Sequence, residues 1–116
     1  DHKVKPVLKD GKYKFDIDVD VSGKILGLDT QMDIDKIKRK FETQIKNEIQ
    51  STFMKGIQKN ADPLSLGKIL YIKETKYWQK NHIKEPKDYL DKDSLHDINV
   101  KVHILNTGGL EAKPLE

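Results

Sequence analysis

Seven apolar residues, Ile34, Ile37, Phe41, Ile45, Ile49, Phe53 and Ile57, recur at a spacing that is mostly four. The pattern predicts one long amphipathic helix, roughly 40 Å from end to end at 1.5 Å per residue. Four residues overshoot the 3.6-residue turn, so the apolar stripe rotates by about 40° at each step. A helix with such a stripe crosses its sheet obliquely or passes from one neighbour to another. Phe41 and Phe53 are read as structural members of this stripe. Asp33 and Asp35 suit the first turn, where unpaired N–H groups and the helix dipole favour a carboxylate.

A helix of this kind needs an apolar face to pack on, and the preceding residues supply it. Tyr13, Phe15, Ile17, Val19 and Val21 alternate with Lys14, Asp16, Asp18 and Asp20. That is a half-buried strand, apolar on one face and wet on the other. Asp10-Gly11 signals a two-residue hairpin back to an earlier strand over Val4 to Leu8. Pro6 cannot donate to a ladder, which places that earlier strand at a sheet edge. Ser22-Gly23 marks a bend, and Ile25-Leu26-Gly27-Leu28 continues the strand or forms a short return.

After the long helix, Asp62-Pro63 reads as a restart, with Asp62 the N-cap and Pro63 the first helical residue. Leu66, Ile69, Leu70, Lys73 and Tyr77 then follow at helical spacing, with Trp78 beside Tyr77. Gly67 is a weak point in such a helix and implies close packing or an irregular first turn. Trp78 reads as a core plug, since the rest of the core is poor in large side chains. Residues 81–97 are polar and contain Pro86, so they read as a loop with one turn near Asp88-Tyr89-Leu90. Ile98, Val100, Val102 and Ile104 form the last strand, and Gly108-Gly109 begins a frayed tail.

The 116 residues fit one α+β domain over residues 1–110: an antiparallel sheet of three to four strands, with one long and one shorter helix packed on one face. Residues 111–116 form a tail whose Leu115-Glu116 reads as vector-derived, so the chain is read as a domain excised from a larger protein. Twenty-two basic and 19 acidic residues are too balanced for a nucleic-acid footprint, and Arg39 is the only arginine. With no cysteine there are no disulfides or thiolate metal sites.

The candidates for chemistry are few. Asp16, Asp18 and Asp20 suggest a calcium loop, but Val21 stands where the loop needs glycine and Gly27 where it needs glutamate. Strand alternation explains their spacing, and their mutual repulsion calls for cations opposite. Lys101 and His103 would supply them if the two strands pair. None of His2, His82, His96 and His103 lies in a helical zinc pair, and no serine sits in a nucleophile elbow. Neither catalytic residues nor a metal or cofactor is expected. Lys36, Arg39 and Lys40, with Lys38 and Lys46, make the first half of the long helix basic. This is a solvated face or, alternatively, a surface for anionic lipid.

The order of these marks resembles the C-terminal domain of the Ger(x)C family, the lipoprotein C subunits of spore germinant receptors. There, an alternating strand precedes a long Lys- and Ile-rich helix. An aspartate with a Gly-Phe-Gly-like segment follows, matched by Asp62-Pro63-Leu64-Ser65-Leu66-Gly67. A tryptophan matched by Trp78 comes next, then a Val-rich strand and a glycine, matched by Val100, Val102, Ile104 and Gly108. Ser65 stands where glycine is common and Leu66 where phenylalanine is common.

The resemblance implies a non-enzymatic scaffold or interaction module in nutrient-triggered germination. It also implies membrane-embedded A and B subunits as partners, and a lipid anchor upstream on the outer face of the inner spore membrane. The alternatives are a small-ligand or peptide binding module of the same fold, or a domain that binds an anionic membrane surface. The surfaces to test are Asp16, Asp18, Asp20, Lys101 and His103 on the sheet, and Lys36, Arg39 and Lys40 on the helix. Asp62, Pro63, Gly67, Trp78, Phe41 and Phe53 are read as structural.

Overall fold

Two left-handed residues, Asp10 (φ 52°) and Gly11 (φ 78°), fold the first strands into a hairpin, as a two-residue turn between right-twisted strands requires. The computed structural model describes residues 1–25, 33–106 and 113–114. Strand β1 (His2–Lys9) pairs antiparallel with β2 (Lys12–Ile25), Pro6 lying on the edge strand opposite Phe15. Helix α1 (Ile34–Gln58) follows. Asp33 caps it, its carboxylate accepting the Lys36 N–H at 3.0 Å. Two short helices, α2 (Leu66–Lys73) and α3 (Thr75–Lys80), lead through a 3-10 turn at Pro86–Asp88 into β3 (Leu95–Asn106). A two-residue β4 (Lys113–Pro114) closes the order β1-β2-β3-β4.

The fold is α+β, with helices on one face of a sheet, but the sheet is mixed rather than antiparallel. β2 and β3 pair parallel, from Phe15 opposite Leu95 to Ile25 opposite Asn106. The physical reason is α1: a long helix between two adjacent strands carries the chain back along the sheet before the second begins. Nor does β2 bend at Ser22-Gly23. It stays in register through both residues, opposite His103 and Ile104. β3 begins three residues before Ile98. Lys113–Pro114 pairs with Leu105 and Asn106, where a frayed tail was expected. The expectations for Leu26-Gly27-Leu28, Gly108-Gly109 and Leu115-Glu116 lie outside the described residues.

The core sits between the helices and the helix-facing residues of β2. Phe15, Phe53, Leu66, Leu70, Ile83, Tyr89 and Leu90 are all buried, joined at the rim by Val4, Tyr13, Tyr77 and Trp78. Phe53 is 1% exposed, as its place in the stripe implies, whereas Phe41 is 47% exposed and is not a core residue. Rotation of the stripe carries Phe41 off the direction in which Phe53 points. Residues 81–97 are more than a polar loop, because Ile83, Tyr89 and Leu90 enter the core.

The Asp62 restart is real but offset. α2 begins at Leu66, so Pro63 is outside the helix and Ser65 occupies the N-cap position in the left-handed region (φ 55°). Asp62 still caps the helix from three residues further back. Its Oδ1 accepts the Leu66 N–H at 2.9 Å and its Oδ2 the Gly67 N–H at 2.7 Å. The helix expected to run on through Tyr77 breaks at Glu74 (φ −133°, ψ 55°). Tyr13 donates its hydroxyl to Glu74 Oε1 at 2.7 Å, and Tyr77 packs edge-on to Tyr13 at 4.8 Å. These contacts with β2 hold the break.

Two glycines mark close approaches. A Cβ on Gly67 would lie 2.3 Å from the Tyr89 hydroxyl, so the expected close packing is what Gly67 provides. A Cβ on Gly56 would lie 2.3 Å from Pro63 Cδ. Pro63 is thus structural through its ring, which abuts the last turn of α1.

Candidate functional site

The sheet face turned away from the helices collects the candidate charges. Register sets them in rows: Lys3, Asp18 and Asn99 in one, Lys5, Asp16 and Asp97 in the next. Asp20 lies opposite Lys101, and Ser22 opposite His103. The two expected cations, Lys101 and His103, both fall beside Asp20, while Asp18 and Asp16 find their lysines, Lys3 and Lys5, on β1 instead. Asn99 Nδ2 donates to Asp18 Oδ1 at 3.0 Å, and His103 Nε2 lies 3.6 Å from Asp20 Oδ1. Like charges on β2 are interleaved with cations and amides from both flanks, which relieves their repulsion.

His96 is the member that reading the sequence did not single out. The β2–β3 register shifts between Phe15 and Asp16, so Phe15 faces Leu95 while Asp16 faces Asp97. This bulge inserts His96, whose Nδ1 lies 2.8 Å from Asp16 Oδ1 and 3.3 Å from Asp97 Oδ2. The signal was present: apolar Leu95 and Ile98 are three apart in a strand of period two, which is one residue too many. Asp16, His96 and Asp97 present ligand atoms within 4.8 Å of one another. The 2.8 Å contact is hydrogen-bond geometry, which suits a ring N–H shared between two carboxylates.

The basic face is a separate surface. Lys36, Arg39 and Lys40 are exposed on α1. Glu42, on the same helix, does a structural job: its Oε2 accepts the Val102 N–H at 3.0 Å and ties α1 to β3. Trp78 is half-buried between Tyr71 (5.7 Å, edge-on) and Tyr89 (5.3 Å, tilted), consistent with a plug at the core rim.

Asp62 also accepts the Tyr89 hydroxyl at 2.7 Å. Burial, then the hydrogen bond to Asp62 and its negative charge, push the Tyr89 phenol well above its ordinary value. Tyr13 is raised mainly by its hydrogen bond to Glu74. Lys12 pairs with Asp91 and, as the main cause, holds its carboxyl below the usual range. Backbone N–H groups of Lys84 and Glu85 lower Asp88 in the same way. Tyr13, Tyr89 and Asp91 are thus occupied in joining segments distant in the chain, and Asp88 in capping its own 3-10 turn.

The family model "Spore germination B3/ GerAC like, C-terminal" matches residues 1–108. The chain belongs to this family. This is the germinant receptor C-subunit group to which its sequence resemblance pointed. The fold agrees: the structure titled "Crystal Structure of the GerBC protein" is similar with a TM-score of 0.72 over 89% of this chain, at 21% identity. The chain spans 33% of that GerBC chain. Comparison with curated proteins found no match. Among the described residues, no helix is long and apolar enough to cross a membrane.

Proposed function

We propose that this domain is a non-enzymatic, extracytoplasmic interaction module of a spore germinant receptor C subunit. It would act beside the membrane-embedded A and B subunits in nutrient-triggered germination. In this reading the parent is a lipoprotein, held by an upstream lipid anchor on the outer face of the inner spore membrane. The observation that carries the proposal is the family match across residues 1–108.

The chemistry supports it. Asp62 spends both oxygens on Leu66, Gly67 and Tyr89. The exposed charges are spread over two broad surfaces, the wet sheet face and the exposed face of α1, which suits contact with a macromolecule. A strain lacking the parent gene should sporulate normally and fail to germinate with particular nutrients. An unchanged nutrient response in that strain, with no redundant receptor present, overturns the reading. Complementation with Asp16→Asn, Asp18→Asn and Asp20→Asn together then asks whether the sheet face is the working surface. A restored response would exclude it.

A second reading is contact with an anionic membrane surface, which draws on the exposed Lys36, Arg39 and Lys40. Each basic residue close to such a bilayer contributes about 1 kcal/mol. Vesicle sedimentation at low and high salt tests it, and no binding at low salt removes it.

A further inference from the structure

Past Asp20, no described residue pairs with one of the two edges of β2. β1 covers Lys12 to Val19, and Asp1 extends the ladder by one residue. Asp20 donates its N–H to the Asp1 carbonyl at 2.9 Å, and the Asp1 nitrogen donates back to the Asp20 carbonyl at 3.1 Å. From Val21 to Ile25 the other edge of β2 is paired with β3, and no described residue pairs with this one. Antiparallel geometry alternates the direction of the backbone groups, so those of Ser22 and Lys24 point to the open edge, as those of Asp20 do.

An apolar groove of about 200 Å³ lies beside the same stretch, on the helix-facing side. Val21, Gly23, Phe41, Ile45, Val102 and Ile104 line it. Glu42 is bonded to the Val102 N–H, which in a parallel pair points away from β2. Phe41 therefore sits on the flank of α1 nearer the open edge. It is 47% exposed, and a Cβ at Gly23 would meet no described atom within 4 Å. Among the described residues, an open backbone edge and an open apolar floor thus coincide.

We propose that the preceding part of the longer polypeptide fills both. It would extend β1 backwards along Val21–Ile25 and lay apolar side chains over Phe41 and Ile45. Three observations select this occupant. The family model is the C-terminal part of longer proteins, and the similar GerBC chain is about three times as long as the part matched. The Asp1–Asp20 pair already sets the direction and register, so incoming chain runs antiparallel along the open edge. Strand alternation puts every second incoming residue on the helix side: one opposite Val21 and the next opposite Gly23, where space is free. Elsewhere the outer edge carries Pro6 and lysines at 3, 5 and 9, which discourage added strands. The seat would make this domain a rigid extension of what precedes it.

The proposal rests on family membership and not on the germination role, so either can fail without the other. The test uses the absence of cysteine in this chain. Phe41→Cys and, as control, Lys40→Cys are labelled with maleimide in the 116-residue chain and in the longer polypeptide, read by peptide mass spectrometry. Labelling at position 41 should slow at least ~10-fold in the longer polypeptide, with position 40 within about twofold. Hydrogen exchange on the unsubstituted proteins should show matching protection of the Ser22 and Lys24 amides. Equal labelling and exchange in the two proteins overturns the proposal. So does slow labelling of position 41 already in the shorter chain, which means its own residues fill the groove. Protection that depends on protein concentration or on anionic vesicles assigns the seat to a second copy or to a membrane instead.

Discussion

Phe53 and Phe41 belong to one stripe on one helix, yet the first is 1% exposed and the second 47%. The C-terminal half of α1 is part of the core. Phe53 packs among Phe15, Leu66 and Leu90, and Gly56 lets Pro63 approach. The N-terminal half touches the sheet through Glu42, Ile45 and a partly open groove. A four-residue repeat turns the apolar stripe away from any single neighbour. One neighbour can therefore use only part of such a helix, and the remainder is available to another.

Substitution gives the sharpest way to break this contrast. Phe53→Ala should destabilise by ~3–5 kcal/mol in urea unfolding, as large buried aromatics do, while Phe41→Ala should cost less than ~1 kcal/mol. Similar losses at both positions would mean that the two halves are equally part of the core.

Asp62→Ala should come next, at ~2–3 kcal/mol, because it leaves two helix N–H groups and the buried Tyr89 hydroxyl without their acceptor. Lys36→Ser with Lys40→Ser, on the exposed half of α1, should change stability by under ~0.5 kcal/mol. Comparable effects would show that the charged surface is also structural.

Ser65→Gly should raise stability by roughly 0.5–1 kcal/mol. Ser65 is held at φ 55°, where a Cβ costs ~1–2 kcal/mol and glycine gives back part of that in chain entropy. The resemblance places a glycine at this position in the family, and the structure supplies the reason. A destabilised variant would mean that the serine side chain does work the structure does not display.

The smallest effect concerns pH. The Asp91 carboxyl is lowered by Lys12, so its contribution is present above the ordinary carboxylate range and is lost as pH falls through the lowered value. Both side chains are nearly half exposed, which keeps the effect modest. The gap in urea midpoint between the protein and Asp91→Asn should be open at pH 7 and close toward pH 2. A constant gap would separate the Lys12–Asp91 pair from stability altogether.

How much was legible in the sequence follows from how local each cause is. Strand alternation over Tyr13 to Val21, the Asp10-Gly11 turn and the acidic start of α1 are decided within a few residues and appear where they were read, except that Asp33 is the N-cap and only Asp35 lies in the first turn. Asp62 was recognised as a capping residue but misplaced by three positions. The sequence shows an acceptor but not how far its carboxylate reaches. The charged rows on the wet face were legible as a demand for cations opposite three aspartates. His96 was missed because a bulge is visible only against a partner strand. Ile83 and Tyr89 were hidden in a polar loop, since one or two apolar residues there form no period.

By itself the sequence determined the elements: an alternating hairpin, a long helix with a turning stripe, an aspartate that caps the next helix, and a last alternating strand. Their order also pointed to the family. The tertiary structure alone decided that β2 and β3 run parallel, that the second helix breaks at Glu74, and that Phe41 stays at the surface while Phe53 goes inside. The first group depends on backbone preferences and spacing within one segment. The second depends on contacts between residues far apart in the chain, whose free energy exists only once both partners are in place.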